Sequence, residues 1–504
     1  MAISTAVPAG SISRTSGYQL NKGNFSTGTP YLPQKVVILG EANTANQSTL
    51  VNDSVQITTA AQAGQKYGYG SPIHQIARIL FPVSGTGISV PVYVMAQDEP
   101  GGATATVIVI TITGTATANK THYINIAGRE SLDFSTYAVN IVTGDTPTVI
   151  AAKYVTAINA VLGAPVTASS ALGVLTLTAK WKGATGAGLT GIPDVDGNTA
   201  GVTYVVTSNT AGTGSPSIAA ALALFEDEWN TLVINSYGTV TLTDLEDFNG
   251  IPDNDNPTGR YAPMVWKPIL AFFGSTLATT SALIAITDAD ARVQNVTNVL
   301  CPAPGSAGMP YEAAANMVLL FANVAQSKPH LTVAGQSYPD MPIPESNTIG
   351  EMSIYANRDA LRKAGCSTVT LKDGAYKVQD LVTTYHPDGE IPLIFSEARY
   401  LVIDWNVKYG YGRLEDLYLK DKTIVADGQY TSVQDVIKPA DWKSVLFTYF
   451  DALAELGLIN DPEFSRDSVV IEIDPTNPNR FNTTFSYKRT GTTEIESTTV
   501  TVGF

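Results

Sequence analysis

At 504 residues, with 44% hydrophobic and 15% charged residues, the chain is long enough for two to four domains and a sizeable core and too apolar to be disordered. A net charge of -15 argues against a general nucleic-acid binder, which needs a basic face to displace counterions. Cys301 and Cys366 are too few for a disulfide framework and are expected to be reduced, buried thiols. The first elements follow an irregular Ser/Gly-rich start. "KVVILG" (35–40) is a continuous apolar run of buried-strand type, "TTAAQAGQKYG" (58–68) and "SPIHQIARILF" (71–81) are short helices, and "VPVYVMAQ" (90–97) returns as a strand. Ser71 is placed to cap the second helix, with Pro72 at its first position.

From about 101 to 215 the character changes. "TATVIVITITGTAT", "THYINIAG", "YAVNIVTG", "GVLTLTAKW" and "TYVVTS" are Thr/Val strands broken by Gly and Asn turns. One helix interrupts them in "DTPTVIAAKYVTAINAVLG", with Thr146 as candidate cap, Pro147 at its first position and Gly163 past its end. Helix and strand patterns then resume in "SIAAALALFEDEW" (helix), "TLVINS" and "PILAFFG" (strands), "SALIAITDADARV" (helix), "VTNVLCP" (strand) and "YEAAANMVLLFANVAQ" (helix). Matching flanks imply one discontinuous α/β core, a mixed sheet with flanking helices over 31–100 and 216–345, carrying an inserted β-rich domain at 101–215.

The Pro-rich "SYPDMPIPESN" separates this core from an α+β C-terminal domain at 346–490. That domain opens with two strands around a Lys372-Asp373-Gly374 turn. A helix "SEARYLVIDWNVKYGYG" follows, with Ser396 as its expected cap and Tyr400, Leu401, Ile403 and Val407 on one face. A second helix, "PADWKSVLFTYFDALAELG", repeats Trp442, Val445, Leu446, Tyr449 and Leu453 at core spacing.

Motifs for chemistry fail on context. Gly186, Gly188 and Gly191 satisfy G-x-G-x-x-G, but Pro193 follows where a phosphate-binding helix should run. "DNDNPTG" (253–259) puts Pro257 at a calcium-ligand position and its glycine one place late. His74, His122, His330 and His386 have no metal-ligand spacing, and neither a Walker loop nor a G-x-S-x-G elbow occurs. No cofactor or metal is therefore expected. The N-terminal residues lack the basic and apolar regions of a secretory signal, and no run approaches a membrane span, so a cytoplasm-like site of synthesis and no direct membrane contact are expected.

The last segment, "EIESTTVTVGF", alternates with a strand period, and a terminal strand needs a partner. In "RFNTTFSYKR" (480–489) Phe481, Phe485 and Tyr487 share a face. After "TGT" the apolar phase flips to Val500, Val502 and Phe504, which marks a break between strands. The segment from Thr493 to Val502 pairs either with 480–489 as a hairpin in one subunit or with another molecule.

The order of segments resembles the contractile tail sheath proteins of bacteriophages, in their Mu-like branch. "GDTPTVIAAKYVTAINA" with "PVTASSALGVLTLTAKWKGATG" is similar to their small protruding domain. "EDEWNTLVINSYG" and "CPAPGSAGMPYEAAAN" are similar to their core, and "GAYKVQDLVTTYH" to their C-terminal domain. The resemblance covers nearly the whole chain. It implies a non-enzymatic structural subunit that stacks as rings in a helical tube around an inner tail tube, bounded by baseplate and tail terminator proteins, and that contracts to drive the tube through the host envelope. It places the protein in the virion tail after assembly in the bacterial cytoplasm, without cofactor or direct nucleic-acid contact. It also implies extended N- and C-terminal arms, at 1–30 and 491–504, that add strands to neighbouring subunits. The arm residues are then Ser11, Ile12, Ser13 and Tyr18 at one end and Glu494, Ile495, Glu496, Thr498, Val500 and Val502 at the other, with Gly491 as hinge. Lys438, Asp441 and Lys443 are the implied tube-facing charges, against the plainer expectation of a solvated helix face. Rival classes are a virion-borne or secreted glycan-active enzyme with a β-rich binding module, and a surface-layer or adhesin protein.

Overall fold

A computed structural model of the protein describes residues 31–194, 199–252, 255–344, 349–388 and 394–502. The apolar run near the start forms strand β1 (Val36–Glu41), buried at every position. Next come β2 (Val55–Ile57), α1 (Ala60–Tyr67), α2 (Pro72–Leu80) and β3 (Val92–Gln97). Both helices start as their sequences dictate: the Thr59 hydroxyl accepts the Gln62 N–H at 3.2 Å and the Ser71 hydroxyl accepts the His74 N–H at 3.1 Å. The two helices form the crossover that lets β3 lie parallel to β1, Val36 opposite Val92.

The chain then leaves this sheet for β4 (Val107–Thr113), β5 (Lys120–Ile126), β6 (Ser131–Leu132), β7 (Ser135–Thr136), β8 (Val139–Ile141), α3 (Pro147–Ala160), β9 (Val166–Ala171), β10 (Val174–Ala179), β11 (Gly191–Asp194) and β12 (Thr203–Thr210). They build a four-stranded sheet in the order β12-β4-β10-β9 and a three-stranded sheet β11-β5-β8. Strict alternation turns Ile108, Ile110 and Ile112 of β4 inward. Thr146 occupies the position before α3, as expected, but its side chain makes no capping bond. The last glycine of the G-x-G-x-x-G run, Gly191, opens β11 opposite Ile126, so that run leads into a strand and not a helix. Arg129 fastens this region to the rest through Glu312 at 2.9 Å and Asp340 at 3.1 Å.

The first sheet is completed by later segments: α4 (Ala219–Ala223), β13 (Leu232–Asn235), α5 (Leu242–Asn249), β14 (Leu270–Ser275), α6 (Thr280–Thr287), α7 (Asp290–Val293), β15 (Asn298–Pro302) and α8 (Pro310–Ser327). Its order is β15-β14-β13-β1-β3-β2, parallel throughout except for β2 against β3. Gly274 of β14 lies under the start of α8 so closely that a Cβ there would meet the Pro310 carbonyl oxygen at 1.6 Å. Two helices are shorter than their patterns suggest. The helix expected over 217–229 stops at α4 because the Arg260 guanidinium takes the carbonyls of Glu226 and Glu228, and Glu226 adopts φ 37°. The helix expected over 281–293 divides into α6 and α7 where Arg292 takes the Ile286 carbonyl and Ala289 is extended.

The last third holds α9 (Tyr355–Lys363), β16 (Thr368–Lys372), β17 (Ala375–Asp380), α10 (Ala398–Leu414), β18 (Thr423–Ile424), β19 (Val436–Ile437), α11 (Pro439–Glu455), β20 (Ile459–Asn460), α12 (Pro462–Asp467), β21 (Val470–Ile473), β22 (Phe481–Thr484) and β23 (Lys488–Arg489). Asp373 and Gly374, at φ 55° and 71°, make the two-residue turn between β16 and β17. Ser396 is not the cap of α10: Glu397 stands at that position, and the Ser396 carbonyl accepts the Thr383 N–H. Helix α10 has two buried faces. Leu401, Val402 and Trp405 join the cluster that runs on through the parallel sheet and the 107–210 region, whereas Ile403 and Val407 join a separate cluster with Trp442, Leu446 and Phe450 of α11. Full burial of each of these α11 side chains stabilises the domain by roughly 2 kcal/mol.

Candidate functional site

The chain after β23 was expected to pair with a neighbouring strand. In the structure Phe481, Phe485 and Tyr487 pack on the α10–α11 cluster, β22 pairs with β21 and β23 pairs with β20. Residues 491–502 have no strand partner among the described residues, so no hairpin with 480–489 forms. Ile495, Val500 and Val502 are 83%, 75% and 85% exposed. An apolar, β-patterned segment left open in this way is a template for pairing.

The root of this segment is held firmly. The Thr490 N–H donates to the Leu458 carbonyl at 3.2 Å, and the Thr490 carbonyl accepts from Arg399 Nη1 at 3.0 Å. Four residues on, Glu494 meets Arg362 at 2.7 Å, in a cleft of about 320 Å³ that Tyr355, Arg358 and Arg362 of α9 line together with Thr493 and Ile495. The same guanidinium bonds Asp380 at 2.9 Å and Glu397 at 2.8 Å, so three carboxylates share one cation. Burial, reinforced by the negative charge of Glu494, pushes the Glu397 carboxyl up to about 7. Burial also works against the Glu494 carboxylate, but hydrogen bonding to Arg362 outweighs it and holds that group below its ordinary range. Gly491, with open space around it, therefore lies between two fixed points, Thr490 and Glu494. Glu496, Thr498, Val500 and Val502 lie beyond them and are exposed. Ser11, Ile12, Ser13 and Tyr18 lie outside the described residues.

The candidate tube-facing charges surround the start of α11. Asp441 accepts the Lys438 backbone N–H at 3.2 Å, which caps the helix, and Lys438 Nζ donates to the Gln429 carbonyl at 2.8 Å. Lys443 Nζ lies 5.6 Å from the Phe447 ring centre. The exposed stripe of α11 runs through Asp441, Ser444, Thr448, Asp451 and Glu455, so it is acidic, and Lys438 and Lys443 flank it half-buried.

Cys301 and Cys366 are both free and buried. Among the described residues no group of three His, Cys, Asp or Glu is placed to hold a metal ion, and no helix is long and apolar enough to cross a membrane.

Comparison with curated proteins finds the Mu-like prophage FluMu tail sheath protein of Haemophilus influenzae, 26% identical over 471 residues, which are 90% of this chain and 90% of that protein. This chain is similar to a Mu-like tail sheath protein along nearly its whole length. A tail sheath protein is a structural component and not an enzyme, and the glycan-active alternative finds no support in this likeness. Among solved structures, the sheath tail protein of Desulfitobacterium hafniense matches 94% of this chain and 100% of its own, at 13% identity and a TM-score of 0.43. No family model matches.

Proposed function

We propose that the chain is the structural subunit of a contractile phage tail sheath, which polymerises helically around an inner tail tube and re-packs to drive that tube through the host envelope. Such work comes from the free-energy difference between two packings of one subunit and needs neither nucleotide nor metal. The partners are further copies of the chain, the inner tube, and baseplate and terminator proteins at the ends. The working location is the virion tail, after assembly in the host cytoplasm. The layout is an α/β core over 31–100 and 216–345, a protruding domain at 101–215, a C-terminal domain at 346–490, and arms at 1–30 and 491–504.

The observation that carries this proposal is the exposed, β-patterned segment after Glu494, which at full extension spans roughly 25 Å from Glu496 onward. Its acceptor is the β21–β22 hairpin. A two-stranded sheet is marginal alone, and this one has both outer edges unpaired among the described residues, with Val470 62% exposed. Swinging the arm about Gly491 requires release of Glu494 from Arg362. With Glu494 held, the chain turns instead beyond Ile495. Lys438, Asp441 and Lys443 remain the tube-facing candidates, Asp441 being the most exposed of them. The test is a photo-crosslinker placed at Val500 in assembled protein made from isotopically light and heavy chains. Adducts between light and heavy chains at residues 470–484 are expected. Adducts confined to one chain, or scattered over the surface, would sink the acceptor assignment.

A further inference from the structure

We propose, on the basis of the sheath assignment above, that α10 is the common anchor of both arms, with Arg399, Asp404 and Asn406 as the positioning residues that set where each arm leaves the subunit. The helix buries an unusual set of polar side chains: Arg399 and Asn406 are each 3% exposed. Buried polar groups on an otherwise apolar helix are costly unless partnered. Asn406 bonds the N-terminal root, and Arg399 bonds through Nη1 to the Thr490 carbonyl of the C-terminal root and, at 3.4 Å, to the His330 carbonyl, its Nε and Nη2 having no hydrogen-bond partner among the described residues.

At the N-terminal root, Asn406 Oδ1 accepts the Leu32 backbone N–H at 2.8 Å, while its amide donates to the Val402 carbonyl one turn back at 2.7 Å. The side chain is thereby locked in orientation, and Tyr31 packs on the adjoining cluster. At the C-terminal root, Arg399 Nη1 donates to the Thr490 carbonyl at 3.0 Å. Asp404 takes a two-pronged contact from Arg489, with Nε at 2.7 Å from Oδ1 and Nη2 on Oδ2, and accepts the Tyr487 hydroxyl at 2.8 Å. Glu397, just before the helix, completes the set through Arg362 to Glu494.

The spacing makes this one device. Arg399 and Asn406 are seven residues apart and so share a stripe, two turns or about 10 Å along the axis. Both arms are thus fastened to a single rigid element that is itself buried in both cores. A pull on either arm is therefore taken up at α10, which packs on the cluster of the parallel sheet through Leu401, Val402 and Trp405.

The test uses the full-length chain and the variants Asp404→Ala, Asp404→Asn and Asn406→Ala, with circular dichroism to establish folding. Hydrogen exchange should rise at least tenfold over residues 486–490 in D404A and stay unchanged over 31–35, with D404N between the two. N406A should show the reverse pattern. Both variants should lower tube yield several-fold although they touch different arms. Exchange at the matching root equal to wild type, or tubes formed as by wild type, would overturn the anchor. If D404A fails to fold, D404N carries the measurement. Absence of tubes from the wild-type chain would count against the sheath assignment alone, because the exchange pattern of the monomer still decides the anchor.

Discussion

Removal of residues 493–504 should leave a folded, soluble monomer that no longer forms tubes. Ile495, Val500 and Val502 bury almost nothing in their own chain, so their loss subtracts little from the core. The tie that is lost is Glu494 to Arg362, and the Glu494 side chain is 32% exposed. A pair of that kind contributes on the order of 0.5 kcal/mol. Arg362 keeps Asp380 and Glu397, so no buried cation is stranded. The melting temperature by circular dichroism should therefore move by no more than a few degrees, while the fraction of protein that sediments as polymer should fall at least tenfold. An unfolded truncated chain would contradict the arm and make the segment part of the domain.

The second large effect concerns Glu41, the last residue of β1. It is 0% exposed, accepts a hydrogen bond from the Thr185 hydroxyl, and faces Gly183, where a Cβ would come within 2.4 Å of Oε1. Its Oε1 has no hydrogen-bond partner among the described residues. Burial, opposed by the Thr185 bond and reinforced by the charge of Glu99, pushes the carboxyl up to about 8. The group is neutral in the folded state up to that pH but ionises near 4.3 when unfolded. The raised value means that wild type loses stability as pH climbs from about 4.5 to about 8, by roughly 1.4 kcal/mol per unit at most, and changes little on this account above that range. Glu41→Gln removes the titration and keeps an oxygen for Thr185. The variant should match wild type near pH 5 and exceed it by on the order of 3 kcal/mol at pH 8 in urea unfolding. A wild-type minus variant difference that does not change with pH would contradict a buried neutral carboxyl. Because Thr185 belongs to the region between β10 and β11, this hydrogen bond is one of the ties between that region and the parallel sheet.

What could be read in advance follows the range of the interactions. "KVVILG", "PILAFFG" and the Ser71–Pro72 helix start depend on neighbours within a few residues, and they form where the pattern puts them. Helix α9 was missed because "YANRDALRK" has Leu361 as its one buried residue and so no apolar period. The shortened α4 depends on Arg260, which arrives from more than thirty residues downstream. At the candidate site the exposed strand pattern of Glu494 to Val502 was legible, since alternation is local. Its root was not: Arg362 and Glu494 are 132 residues apart and Asp404 and Arg489 are 85 apart, and no local pattern announces such pairs. The polar residues Arg399 and Asn406 in α10 were a usable signal, because polar residues interrupting an apolar helix need partners.

Helical self-assembly of the chain is read out by negative-stain electron microscopy of the purified full-length protein at high concentration, alone and with tail tube protein added. Hollow tubes or stacked rings with regular striations are the predicted result. Single particles that remain unassembled in both conditions would contradict it.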